Sequence, residues 1–506
     1  MKSNFYYKLG APSRITPTYN HKKTTTKMKP NLCVETKGKL LENDETEPVS
    51  PTGQYFNSKS LSISILAILE SEVPIDDSSA TTLLQDLFLP ISPRFSSIMI
   101  SNPTGEKQWK RVQVNLQDHI KVPTFSNNLS NQSYDNEFDQ YLTKISMNPL
   151  PKDKPLWEIH ILKYPTTKAA GHLIFKLHHA LGDGYSLMGA LLSCVKRADN
   201  PFLPLTFQST RVSTQQVQKN NNNGGFMRLM VMGRRTLSMI YRGFSDFGSF
   251  LRSSYTVDDK TPIRSGNASL GFHPVKIFTL AFSLDQIKLI KTNLGTKVND
   301  AISGIIFLGT RLYMQSTHTK FNKSRSTVTV LYNTRNIGGY MSVEEMMNAD
   351  TKIWGNKFSY LQILLPELTN KNCSNPLDFV YEARKLIARY KNSPAVYLTA
   401  QYLDIVRRFR GSEAIAENIH SRLTKSSMGI TNMIGPAEQV TLANHPIKGM
   451  YFMCTGIPKS LTITIMSYTQ TLRIAVGVEK GFIDSQRLES CFMNAFEMIY
   501  EAATKS

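Results

Sequence analysis

Apolar and polar positions alternate or recur at helical spacing from about residue 47 onward, starting at "EPVSPTGQYF" (47–56). "SLSISILAILES" (60–71), "RFSSIMI" (94–100) and "KRVQVNLQDHI" (110–120) read as strands. "TTLLQDLFLP" (81–90) and "NEFDQYLTKISMNPL" (136–150) carry the three-and-four spacing of helices. Two further strands, "PLWEIHILKY" (155–164) and "GHLIFKLHHA" (171–180), are joined closely enough to be neighbours. A helix, "YSLMGALLSCVKRA" (185–198), follows Gly184.

From about Pro201 to Gly266 the texture changes. "STQQVQKNNNNGG" (213–225) is polar and breaker-rich, a linker. Behind it, Phe226, Met230, Leu237, Ile240, Phe244, Phe247 and Leu251 share one helical face, with Gly233 the gap in the row. Arg228, Arg235 and Arg242 lie opposite, and Asp246 is the one acid between Arg211 and Tyr255. A basic amphipathic helix over 226–252 fits an anionic membrane surface; the same pattern also suits a helix packed on the protein's own core.

A second mixed region runs from about Phe272. "HPVKIFTLAFS" (273–283), "STVTVLYNTR" (326–335), "KFSYLQILLP" (357–366) and the pair within "SLTITIMSYTQTLRIAVGVE" (460–479) are strands. "LDQIKLIKTNL" (284–294), "NDAISGIIFLGTRLYMQ" (299–315), "PLDFVYEARKLIARYK" (376–391) and "SQRLESCFMNAFEMIYEAAT" (485–504) are helices. The expected class is α/β. Its expected divisions are a basic disordered tail (1–45), an N-terminal subdomain (46–205), a linker with the basic crossover helix (206–266), and a C-terminal subdomain (267–506).

The chain has 506 residues, 41% of them hydrophobic and 19% charged, enough for a large core and unlike a disordered or fibrous chain. Its formal charge of +20 calls for an anionic partner: a membrane surface, an anionic small molecule or nucleic acid. No nucleic-acid recognition motif accompanies the charge, so nucleic acid is not expected as a partner. Cys33, Cys194, Cys373, Cys454 and Cys491 form no metal-ligand or disulfide spacing, which suits a reducing compartment. With no secretory signal, the sequons at Asn128 and Asn131 are expected to be bare. No apolar run is long enough for a transmembrane helix. Residues 1–34 carry no acid, the composition of a transit peptide, of a disordered tail, or of an extension ahead of a true start at Met28.

The chemistry concentrates in "HHALGDG" (178–184), where a strand ends in two histidines and a glycine turn opens a helix. Adjacent residues at a strand end face opposite ways, so one imidazole alone faces a given cleft. A general base, a metal ligand pair and a plain loop are the competing readings. The other histidines supply no metal cluster, and a GxSxG nucleophile elbow is missing.

His178-His179-Ala180-Leu181-Gly182-Asp183-Gly184 resembles the HHxxxDG signature of the CoA-dependent acyltransferase superfamily. The further motifs resemble the wax ester synthase/diacylglycerol acyltransferase family in its plant form. Its PLW stands as Pro155-Leu156-Trp157, its ND as Asn299-Asp300, and its later Asn-Thr-Arg as Asn333-Thr334-Arg335. Its SNxxGP stands as Asn432 to Pro436, with Thr431 in place of the serine. The likeness spans about residues 46–503, in order, while the DFGWG loop of the plant BAHD acyltransferases is missing.

That resemblance implies two chloramphenicol-acetyltransferase-like subdomains, mixed sheets flanked by helices, with an active-site tunnel at their interface. It implies a bifunctional enzyme moving a fatty acyl group from acyl-CoA to a long-chain alcohol or to diacylglycerol, with no cofactor and no acyl-enzyme. His179 would be the base, His178 and Asp183 structural, and Gly184 the residue that permits the turn. Arg335 is the expected partner of Asp183, because a buried carboxylate needs pairing and a guanidinium offers a fork. Asn299 is either an oxyanion donor or a helix N-cap, and Trp157 lines the tunnel or fills the core. Another alcohol or amine acceptor, or a lipid-binding relative without catalysis, are the alternatives. The expected location is the cytosolic face of the endoplasmic reticulum membrane, with the plasma membrane and the plastid behind it.

Overall fold

The computed structural model describes residues 46–103, 106–207, 241, 243–253, 255–267, 273–333, 335, 354–370, 374–391, 393 and 395–505. The basic tail (1–45), the linker (213–225) and the first part of the crossover helix (226–240) lie outside them.

The first part of the chain contributes strands β1 (Thr46–Pro48), β2 (Ser64–Ser71), β3 (Ser97–Ser101), β4 (Lys107–Arg111), β5 (Ile120–Lys121), β6 (Trp157–Leu162), β7 (Gly171–His178) and β8 (Lys196–Arg197). The second contributes β9 (Val275–Ser283), β10 (Thr327–Asn333), β11 (Phe358–Leu364), β12 (Met428–Ile434), β13 (Val440–Leu442), β14 (His445–Thr455), β15 (Leu461–Tyr468) and β16 (Thr471–Glu479). Helices α1 (Pro51–Phe56), α2 (Ala80–Leu83), α3 (Asn131–Met147), α4 (Gly184–Ser193) and α5 (243–252) precede β9. After it come α6 (Leu284–Asn293), α7 (Val298–Thr317), α8 (Leu377–Lys391), α9 (Ala395–Lys425) and α10 (Ser485–Lys505).

A seven-stranded sheet runs β5-β6-β7-β2-β14-β13-β8, and a six-stranded one runs β11-β10-β12-β15-β16-β9. The strands expected as neighbours, β6 and β7, pair antiparallel with Trp157 opposite Leu177. Every residue of β2 and β7 is buried, which is why both read as nearly continuous apolar runs. In the second sheet β12 lies parallel to both β10 and β15. Its core includes Ile305 and Phe307 of α7, Phe379 of α8 and Phe492 of α10. This is the two-part α/β architecture with mixed sheets flanked by helices.

Several elements differ from the pattern. The strand expected over 110–120 stops at Arg111, because Asn115 accepts the Gln117 N–H at 3.4 Å and starts a 3₁₀ turn, Leu116–Asp118. The helix expected over 81–90 is one α turn followed by a wider π turn, Leu84–Phe88, and a 3₁₀ turn that holds Pro90. The helix expected from 136 starts at Asn131, capped by Ser130, whose Oγ accepts the Ser133 N–H at 3.2 Å. The helix expected over 185–198 ends at Ser193, and Lys196–Arg197 pair with β13. The stretch 395–455, to which the pattern assigned no elements, holds the long α9, broken at Gly411 (φ 78°, ψ 175°), and strands β12 to β14. Strands β13 and β14 sit in the sheet of the first half, β14 against β2 with Met450 opposite Leu69, so the second half reaches into the first.

Candidate active site

Strand β7 delivers His178 as its last residue and His179 one step beyond, where the His179 N–H bonds to Ile63 O at 2.9 Å. The two rings then part. His178 Nδ1 accepts the Ala180 N–H at 3.1 Å, so its proton sits on Nε2 and is donated to Ser62 Oγ at 3.2 Å. Burial pushes its pKa down to about 3. His178 is a neutral, fully engaged building block of the loop.

His179 turns toward Phe56 and Phe358, with ring centroids 4.8 and 5.3 Å away. Asn356 grips it twice. The amide Nδ2 donates to His179 O at 3.0 Å, which points Oδ1 at the ring, 3.0 Å from Nδ1. An amide oxygen can only accept, so Nδ1 carries the proton and Nε2 keeps its lone pair. Burial lowers the pKa of His179, opposed by the Asp183 charge and by the bonds to its own carbonyl and to Asn356. The result is a neutral imidazole with a fixed tautomer.

Asp183 is the N-cap of α4, accepting the Ser186 N–H at 3.1 Å. Arg335 meets it as a fork, Nη1 to Oδ2 at 2.7 Å and Nη2 to Oδ1 at 3.0 Å, with both side chains almost fully buried. The Lys357 N–H adds a bond to Oδ2 at 2.8 Å. Arg335 Nη2 also donates to Gly355 O at 2.7 Å, tying the segment 355–357 to the same knot that presents Asn356. The pairing expected for Asp183 is thus present, and it joins the two halves. Gly184 does not need its glycine for an unusual turn: it is the first helical residue, and a Cβ there would meet Met433 Sδ of β12 at 2.6 Å. The two halves approach closely here, and a Cβ would have to displace the flexible end of the Met433 side chain.

A cavity of about 530 Å³ opens between the halves, with His179 in its wall. Phe56, Ile63, Phe358, Leu403, Ile415 and Ile430 give it an apolar lining, and its size is that of a small-molecule site.

The remaining motif residues lie elsewhere. Trp157 is wholly buried, stacks on His119 at 4.1 Å and donates Nε1–H to Phe95 O at 2.8 Å; it belongs to the core, not to the cavity. Leu156 is core too, and its carbonyl accepts the His178 N–H at 3.0 Å, while Pro155 O accepts the Trp157 N–H at 2.8 Å. PLW therefore sets the strand behind the histidines. Asn299 is the second residue of α7 rather than its N-cap, which is Lys297. Asp300 accepts the Lys297 N–H at 2.9 Å and closes that helix end. Asn432 Nδ2 donates to Asn299 Oδ1 at 2.7 Å, so these two motifs meet each other; of their neighbourhood, Thr431 lines the cavity. Among the described residues no three His, Cys, Asp or Glu side chains gather as a metal site. Asn356 went unread in the sequence, since a lone asparagine carries no periodicity.

Fold and site together define a class, the two-lobed acyltransferase fold shared with condensation domains. The first condensation domain of the CDA synthetase superposes with a TM-score of 0.51 at 14% identity, covering 87% of this chain and 90% of that one. A wax ester synthase/diacylglycerol acyltransferase from Marinobacter aquaeolei VT8 does so with a TM-score of 0.55 at 15% identity, covering 90% of this chain and 100% of that one. The family follows from sequence. The wax ester synthase/diacylglycerol acyltransferase catalytic domain matches residues 88–302, and the WS/DGAT C-terminal domain matches 354–500. Wax ester synthase/diacylglycerol acyltransferases 11 and 4 of Arabidopsis thaliana are each 28% identical, over 92% of this chain and 97% and 92% of their own lengths. The chain belongs to the wax ester synthase/diacylglycerol acyltransferase family and is an O-acyltransferase.

Proposed function

We propose that this enzyme transfers a fatty acyl group from acyl-CoA to a long-chain alcohol or to diacylglycerol, with His179 as general base. The observation that carries the reading is a neutral imidazole, Nδ1–H held by Asn356, in the wall of an apolar cavity. Nε2 takes the hydroxyl proton as the alcohol oxygen attacks the thioester carbonyl. The tetrahedral intermediate collapses, the C–S bond breaks, and the imidazolium proton passes to the departing thiolate. Ester and free CoA leave, and no acyl-enzyme forms. Phe56 and Phe358 exclude water beside the base, so the thioester meets an alcohol instead of hydroxide.

Both acceptors partition into bilayers, and a membrane-bound position on the cytosolic face of the endoplasmic reticulum fits them. Among the described residues no helix is long and apolar enough to cross a membrane. Two surfaces support peripheral contact. One is the basic segment 226–252, whose described part exposes Phe244 and packs Phe247 on Tyr402 of α9. The other lies on α9, where Arg407 lines the cavity and Phe409, 85% exposed, stands beside Arg408 and Arg410.

Purified protein given palmitoyl-CoA with hexadecanol or with dioleoylglycerol should release free CoA together with the matching ester. Release of CoA with neither acceptor, but with a polar alcohol or an amine, would transfer the chemistry to another acceptor class. Sedimentation with anionic liposomes should fall for Phe409→Ser; an unchanged bound fraction removes this surface from the account.

A further inference from the structure

The two halves are fastened to each other at several places. Asp183 and Arg335 form one buried tie, and Glu70 of β2 with Arg473 of β16 forms a second. Strand β14 adds a third, since it comes from the second half and pairs along β2 of the first. Parting the halves would break buried ion pairs and a strand pairing, so the cavity is not entered that way. The base is nevertheless hidden: His179 and Cys454, both in the cavity wall, are each only 8% exposed. A lipid acceptor needs another way in.

The first part of α9 stands as a single layer between cavity and surroundings. Thr399, Leu403 and Arg407, four residues apart, line the cavity. Ile405 and Phe409, also four apart, lie on the opposite face and are 54% and 85% exposed. The exposed Arg408 and Arg410 flank Phe409, so the outer face combines apolar side chains with positive charge. That combination suits an anionic bilayer.

Gly411 divides α9 by the way its parts are held. Past it, Ser412 Oγ donates to Gln54 Oε1 at 2.7 Å, and Glu413 accepts the Lys59 and Ser60 N–H groups at 3.2 and 3.4 Å. Arg422 donates to Ser253 Oγ at 2.8 Å. Ahead of it, the described side chains from 398 to 410 make hydrogen bonds and ion pairs only inside the helix, from Arg407 and Arg408 to Asp404. Apolar contact holds this part down: Tyr402 against Phe247 and Phe250, and Leu403 and Val406 against Phe56, Ile415 and Ile419. Gly411 itself stands at φ 78°, ψ 175°, a conformation that suits glycine, and a Cβ there would meet nothing within 4 Å.

We infer that residues 395–410 are a lid that an anionic bilayer opens. Ile405 and Phe409 enter the lipid, the break at Gly411 straightens, and the acceptor passes from the membrane to His179. The inference rests on the lipid-acceptor reading of the site, and it gives the exposed Phe409 a task besides adhesion.

Cys454 is a built-in reporter, because its free thiol lies in the cavity wall and can be labelled whether or not an ester forms. Labelling of Cys454 by N-ethylmaleimide, read by peptide mass spectrometry, is followed without lipid and with phosphatidylcholine/phosphatidylserine vesicles. The vesicles should speed labelling about tenfold, the population shift that a tenfold preference of lipid for the open form produces. Phe409→Ser should lose that gain while its labelling without lipid stays at the wild-type rate. Gly411→Ala strains the closed form alone, so it should label about fivefold faster or more with no lipid present. If vesicles leave Cys454 as protected as before, or if Phe409→Ser responds to them like the wild type, no lid opens there. A folded Gly411→Ala protein that labels at the wild-type rate overturns the hinge. If labelling responds as expected while neither hexadecanol nor diacylglycerol yields an ester, the lid stands and the proposed reaction falls.

Discussion

His178 and His179 are chain neighbours held by different parts of the molecule. His178 finds both of its partners, Ser62 and Ala180, within the first half, on the strand and loop around it. His179 takes its orientation from Asn356, across 177 residues of chain, and Asp183 beside it takes its charge partner from Arg335. One ring belongs to the fold of its own half, and the other is set by docking of the second half. The difference separates stability from chemistry: damage at 178 should be felt as unfolding, and damage at 179 as lost turnover in a folded protein.

The largest effect expected is on His179. Replacing it by alanine should cut turnover about 10²–10⁴-fold with little change in melting, as loss of a general base does. His178→Ala should do the reverse, stranding the Ala180 N–H and costing about 1–3 kcal/mol of stability while activity per folded molecule stays near wild type. Single-turnover CoA release set beside thermal melts reads both, and equal activity losses in the two variants would erase the distinction.

Arg335 comes next. Arg335→Ala leaves the buried Asp183 carboxylate without its fork, a loss of about 3–5 kcal/mol for an orphaned buried charge. Arg335→Lys restores the charge but not the bidentate geometry, so denaturant unfolding should place it between alanine and wild type.

This knot was partly legible in the sequence. A carboxylate four residues past the second histidine and a distant arginine in a strand-ending motif could be matched by the demand of a buried charge for a fork. Asn356 could not, because nothing local distinguishes it and its role exists only once the halves meet. The strands that carry "HLIF" and "SILAIL" were legible because central strands buried on both faces are unbroken apolar runs. Helix α9 was not, because it is broken at Gly411, and β14 was not placed because its sheet is chosen by tertiary contact with β2. The PLW motif was legible as sequence but equally at home in core and cavity, and only the bond from Trp157 to Phe95 O separates the two.

Acid should act on the His178 side of the comparison. Its folded pKa of about 3 lies below the ordinary histidine value of 6.5, so the unfolded chain binds the proton first as pH falls. Stability is therefore untouched above pH 6.5 and declines below it toward pH 3, by up to about 1.4 kcal/mol per pH unit for this one group. His172, also pushed down to about 3 by burial, adds a second contribution in the same window. Denaturant titrations between pH 7 and 4 should show a shallower slope for His178→Asn than for wild type, once both are compared with their values at pH 7.

The smallest expected effect is the most specific. Asn356 is a positioning residue, acting on substrate only through the tautomer of His179. Asn356→Ala removes the acceptor that keeps the proton on Nδ1, so part of the population carries it on Nε2 and cannot act as base. A fall of about tenfold in kcat, with KM for acyl-CoA little changed, matches the loss of one orienting hydrogen bond worth about 1.4 kcal/mol. Asn356→Asp supplies the decisive readout. A carboxylate facing Nδ1 stabilises the imidazolium and raises a pKa that burial holds below the ordinary value in the wild type. The neutral base is then lost at higher pH, so the acid limb of kcat/KM should move upward, while Asn356→Ala lowers the plateau and moves the limb slightly down. A purely structural asparagine would lower the folded fraction of both variants and leave both limbs where they are.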